Sequence, residues 1–192
     1  MISDIVHGEA DLDTLKAGAS LIPVAKITKV PKVVKAIGNV GKTRFKKGKE
    51  GEKIAKSNQA KQIAEYTGGT LAEIQRAVPY EDVNTEGEEE LNSNARPEIT
   101  ISIDNVEDYD TIFVGYPIWW DEAPMVISTF LESYDFTDKR IIPFCTSASD
   151  SIDNSLHIFE ELVPDAVIEE GLTANDEEEI EPWLRELGFD KG

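Results

Sequence analysis

At 192 residues the chain has room for one ordinary domain and an appendage, and its 40% hydrophobic and 30% charged residues suit a globular protein rather than a disordered or membrane-embedded one. Its 19 Lys and Arg against 38 Asp and Glu leave a formal net charge of −19, which disfavours nucleic acid and anionic membranes as partners and favours a basic one. A single cysteine, Cys145, excludes an intrachain disulfide and a cysteine-cluster metal site; with neither a signal-peptide pattern nor an apolar run of about eighteen residues, a cytoplasmic location without a transmembrane segment is the expectation.

The charge is split along the chain. Residues 1–60 hold twelve Lys or Arg and six Asp or Glu, a net of +6, and residues 61–192 carry −25, so a basic head precedes an acidic body. Residues 15–40 place Lys26, Lys29, Lys32 and Lys35 every three positions, so Val24, Ile27, Val30, Val34 and Ile37 can share the opposite face of a helix. Pro23 and Pro31 divide it into two short pieces. Such a basic amphipathic stretch suits a membrane surface or, more ordinarily, a helical linker. Residues 38–51, with four glycines and a run of cations, read as a flexible linker. The Gly-Lys-Thr at Gly41, Lys42 and Thr43 invites a phosphate-loop reading, but the preceding glycine, Gly38, is too close for G-x-x-x-x-G-K-[ST], and neither a clear strand nor a clear helix flanks it.

Residues 54–66 turn helical, with Ile54, Ala60, Ile63 and Ala64 on one face and a stop at Gly68 and Gly69. Residues 71–74 predict a short strand, residues 79–97 an acidic surface loop with room for one turn of helix, and residues 99–103 a two-faced edge strand. Residues 109–124, YDTIFVGYPIWWDEAP, are the most informative stretch: a strand over 111–114, ended by Gly115 and Pro117, runs into a loop with two adjacent tryptophans. Open α/β folds put flat ligands at the carboxyl ends of such strands, although Trp119 and Trp120 could equally cap the core under a loop. Helical spacing follows over 125–134, with Pro124 at its first turn. A strand over 140–146 carries Pro143, which predicts an interruption or bulge. A Ser-rich loop, a helix over 152–162, a strand over 166–172 and a helix over 177–187 complete an alternation that predicts a three-layer parallel α/β sheet. His7 and His157 are isolated, and Glu177, Glu178 and Glu179 read as a solvated helix start.

Several blocks resemble bacterial flavodoxin-like proteins: Tyr109 and Asp110 through Ala123, Pro124 and Met125; then residues 130–136; then residues 141–147, with residues 94–99 and 77–80 in support. The resemblance covers residues 57–190. It implies the flavodoxin fold over residues 53–192, a basic and partly helical extension over 1–52, noncovalent FMN at the carboxyl ends of the strands, and redox chemistry with a partner protein or a small-molecule acceptor. By this resemblance Pro117, Ile118, Trp119 and Trp120 form the loop beside the flavin ring, and Cys145, Thr146 and Ser147 open the other flanking loop. Two departures stand out. No apolar first strand and Ser/Thr-Gly phosphate loop precede the first helix, Ser57 and Asn58 being the nearest remnant, so the sheet reads as truncated at its N-terminal strand. The loop over 147–153 carries Ala148, Asp150 and Asp153 where similar proteins are glycine-rich.

Losing a central strand would leave two interior edges unpaired. Residues 20–29 are the one filler the head offers; otherwise residues 71–74 detach, or a partner supplies a strand. The head also resembles the segment preceding the toxin module in some bacterial polymorphic toxins. Two classes of function follow: an FMN-dependent carrier or reductase, or a cofactor-free flavodoxin-fold remnant or interaction module, with toxin association a variant of the second.

Overall fold

The computed structural model describes residues 33–39, 51–101 and 105–191, with side chains described from Asn58 onward. Residues 31–192 form one compact unit. In chain order its elements are β1 (Val33–Asn39), α1 (Gly51–Thr67), β2 (Thr70–Arg76), α2 (Val83–Asn92), β3 (Ile99–Ile101), β4 (Thr111–Pro117), α3 (Met125–Ser133), β5 (Arg140–Thr146), α4 (His157–Leu162), β6 (Val167–Ile168), β7 (Leu172–Thr173) and α5 (Ile180–Glu186). The sheet runs β3-β2-β1-β4-β5-β6, with β7 also paired to β5, and every pairing is parallel except β2 with β3.

β4 alternates its side chains between two cores, as a strand covered on both faces must. Ile112, Val114 and Tyr116 enter one cluster with Val126, Ile127, Phe130 and Leu131 of α3 and Phe159 of α4. Phe113 enters the other, with Ala60 and Ile63 of α1 and Ile180, Trp183 and Leu184 of α5. The expected three-layer α/β sheet is thus present. Among the described residues no helix is long and apolar enough to cross a membrane.

The central slot is filled, and by a segment other than those expected. β1 stands between β2 and β4, pairing Ala36 with Ala72 on one side and with Val114 on the other. Residues 20–29 lie outside the described residues, and residues 71–74 do not detach, since they are the middle of β2. Lysine spacing suggested a helix over 33–39, but Val33, Val34 and Ile37 are β-branched and suit a strand. The second departure is α2, a ten-residue helix in the acidic stretch read as loop. Asp82 caps it, its carboxylate accepting from the Asn84 amide at 3.1 Å. The closing strand is two fragments, β6 and β7, and the helices over 152–162 and 177–187 each begin as a 3₁₀ turn.

Pro143 accounts for the broken edge strand. The Ile141 and Cys145 carbonyls accept from the Glu169 and Ala174 amides, so the intervening Pro143 turns its missing N–H toward that same edge. β6 pairs before it and β7 after it, and residues 169–171 loop out opposite. The Trp183 indole donates to the Glu170 carbonyl at 3.1 Å and so satisfies the loop.

Gly115 is an interior position of β4 rather than its end. It pairs with Phe144, and a Cβ built there would fall 2.2 Å from the Phe144 ring. Gly115→Ala is expected to cost about 1–3 kcal/mol by overpacking, read as a lowered urea midpoint. Combining it with Phe144→Leu should recover part of that loss, whereas simple additivity would show the ring contact is not the cause.

Candidate functional site

The carboxyl ends of β4 and β5 lie side by side, Pro117 opposite Thr146, and one further hydrogen bond from the Ile118 amide to the Thr146 carbonyl, 3.0 Å, ties the two following loops together. β4 is also the neighbour of β1, while the chain leaves β1 for β2 on its other side. The strand order therefore reverses between β1 and β4, the kind of crevice in which open α/β sheets hold ligands.

Beyond Ile118 the chain makes a two-residue hairpin. Trp119 and Glu122 exchange both backbone hydrogen bonds, at 2.8 and 2.9 Å, and the residues between them, Trp120 and Asp121, have φ of 47° and 64°. Two consecutive left-handed residues define a primed turn that normally takes Asn-Gly or Gly-Gly. A Trp-Asp pair there carries strain of about 1 kcal/mol or more per residue. The turn separates the fates of the two indoles. Trp119 is half-buried against the core, with the Tyr80 ring edge-on at 5.9 Å, whereas Trp120 stands 41% exposed at the tip. Their planes meet at 84° with centroids 6.4 Å apart. Core capping therefore fits Trp119, while the Trp120 indole is partly open to solvent with one edge against Gly87 of α2.

On the β5 side the candidates separate as well. Cys145 is buried with its thiol 3.8 Å from the Thr173 hydroxyl, and burial pushes the thiol up to about 11, so it faces β7 and is inert at neutral pH. Thr146 ends the strand half-buried. Ser147 is clamped: Asn175 accepts from its amide at 3.0 Å and donates to its carbonyl at 2.8 Å, and the Asp150 amide donates to its hydroxyl at 2.8 Å. Ser57 and Asn58 are not brought to these loops by a turn of their own. Both lie inside α1, which has already run about 9 Å by Ser57 at 1.5 Å per residue.

Carboxylates rim the site. Asp150 faces Asp121 across the two loops, and a hydrogen bond open only to a protonated carboxyl, together with charge repulsion, raises the Asp121 carboxyl above its ordinary value. Glu122 is raised by burial, against the opposing pull of His157, whose Nε2 lies 3.7 Å away. Sequence reasoning missed the residues behind the tryptophans, Arg76 and the α2 residues Glu86, Gly87 and Glu90, and gave Tyr80 only as part of the block 77–80, without a place at the site. α2 buries a glycine and a carboxylate, which a search for apolar periodicity passes over. Asp82 as a cap with glutamates downstream was the available signal.

Comparison with known proteins bears on this arrangement. Residues 52–187 match the flavodoxin family model. Among solved structures, a flavoprotein candidate from Bacteroides eggerthii is 30% identical, with a TM-score of 0.67 over 83% of this chain and 99% of that one. A second, from Bacteroides uniformis, is 31% identical, with a TM-score of 0.66 over 82% and 99%. A Lactobacillus acidophilus flavoprotein crystallised with FMN shares the fold at 21% identity and a TM-score of 0.58, over 80% and 98%. No curated protein matches the chain.

The Asp121 and Asp150 pairing gives a pH dependence of definite sign. With its folded value raised above 3.8, ionised Asp121 is disfavoured in the folded state, a cost present at pH 7 and absent once both states are protonated. Asp121→Asn, which also tolerates the left-handed backbone, should unfold at higher temperature than the parent at pH 7. That advantage should vanish as pH falls below the ordinary aspartate range, in paired thermal melts.

Proposed function

The chain belongs to the flavodoxin family, and from that premise we propose that it is an FMN-binding redox protein, an electron carrier or a reductase of small substrates. The observation that supports this best is the Trp120 indole, held out at the carboxyl end of β4 by a left-handed turn and 41% exposed beside the point where strand order reverses. Pro117, Ile118, Trp119 and Trp120 form one wall, Thr146 and Ser147 begin the other, and Cys145 contributes backbone rather than its thiol.

The resemblance gives the phosphate end to Ser57 and Asn58, which lie inside α1. Bound FMN would supply the electron transfer. The protein's part is to stack the ring, exclude water from one face and set the local charge. Asp121, Glu122 and Asp150 resist added negative charge on the ring and so favour its oxidised form. The acidic body suits docking to basic redox partners.

A second reading, a cofactor-free interaction module of the same fold, draws on Ser147. Its amide, carbonyl and hydroxyl are all engaged within the protein, so none is free for a ligand unless Asn175 and Asp150 let go.

Titration of FMN against the purified chain separates the two. The flavin reading expects quenched flavin fluorescence at micromolar protein, and weaker affinity for riboflavin, which lacks the phosphate. Trp120→Ala should weaken FMN binding by about 1 kcal/mol or more, about fivefold in the dissociation constant. Indifference to millimolar FMN would sink the carrier reading in favour of the module.

A further inference from the structure

Two positions of α2 are sunk into the protein, Gly87 and Glu90, three residues apart and so on one face. Glu90 is 8% exposed and is held from two sides. The Arg76 Nε of β2 lies 3.0 Å from its Oε1, as a charge pair off the angle of an aligned hydrogen bond, and Tyr80 donates its hydroxyl to Oε2 at 2.7 Å. Arg76 also donates to Glu86 at 2.6 Å, and its guanidinium lies 4.4 Å from the centre of the Tyr80 ring. A carboxylate drawn this far from water is tolerated only when paired and hydrogen-bonded, so the network fixes the rotation of α2 against β2.

That rotation turns Gly87 to the indoles. A Cβ built on Gly87 would lie 3.2 Å from Cε3 of Trp119 and 3.3 Å from Cζ3 of Trp120. Tyr80 presses the same Trp119 ring from its edge, at 79°. Glycine is a poor residue for a helix interior, and Gly87 has no left-handed backbone to justify it. Its close approach to both rings does.

We propose that Gly87, held in register by Arg76, Tyr80 and Glu90, is the positioning residue for the Trp119 and Trp120 pair and sets the angle at which that pair meets a flat aromatic ligand. The ligand rests on the flavin reading; the geometry is that of the chain itself.

The test is Gly87→Ala, followed by near-ultraviolet circular dichroism of the flavin-free protein, thermal melting and FMN titration. Alanine favours the helix but crowds both indoles, so the melting temperature serves to confirm that the variant folds. The tryptophan dichroism should change, and the FMN dissociation constant should rise about fivefold to tenfold as the indoles are displaced. Tyr80→Phe, which keeps the ring but leaves Glu90 Oε2 without its hydroxyl donor, should move the dichroism by a smaller amount and serves as the second probe if the first variant folds poorly. Parental dichroism and parental FMN affinity in Gly87→Ala would overturn the proposal. A parent chain that ignores FMN, with dichroism that still moves in Gly87→Ala, would remove the flavin reading and sustain the positioning role.

Discussion

The fold depends on the backbone pairing of β1. Its neighbours β2 and β4 each turn a row of amides and carbonyls toward the slot between them, and six register positions on one side and five on the other are met there by residues 33–39. Buried backbone polar groups without partners cost about as much as lost hydrogen bonds, so an empty slot would open the sheet at its centre. The family match begins only at residue 52. The segment in the slot is paired through its backbone and lies outside the part of the chain that matches the family model. A central strand makes few demands on residue identity beyond extended backbone and side chains that tolerate burial, so different sequences can serve.

Much of this was legible from residues alone. The stretch over 140–146 is a strand with the expected bounds because its apolar run is bracketed by charge and a Ser-rich loop, and α3 follows from its spacing and the proline before it. β1 was not legible, since the lysines at every third place across residues 26–35 drew the reading to a helix, whereas β1 holds only Lys35 and its residues pair in register with both neighbouring strands. α2 escaped for the opposite reason: its local cap was readable, but its buried face consists of Gly87 and Glu90, which carry no hydrophobic signal. β6 and β7, two residues each, fall below the length at which periodicity has meaning.

The site was legible as a stretch and not as a surface. Adjacent tryptophans after a strand point to a ring-binding loop, but which indole faces water is decided by backbone angles at Trp120 and Asp121 and by the helix behind them. Likewise Cys145, Thr146 and Ser147 are neighbours in sequence, yet one is buried under β7, one ends the strand and one is clamped by Asn175, 28 positions away. Long-range partners of this kind leave no local trace.

Pro143 has a further consequence at the molecular surface. An outer strand of unbroken backbone groups is a template on which a second chain can pair. Here the missing N–H of a single proline splits that strand into two fragments of two residues, and the Trp183 indole occupies a carbonyl of the loop between them. A residue buried one strand inside the sheet thereby leaves this edge without the unbroken row of backbone groups on which a second chain would pair.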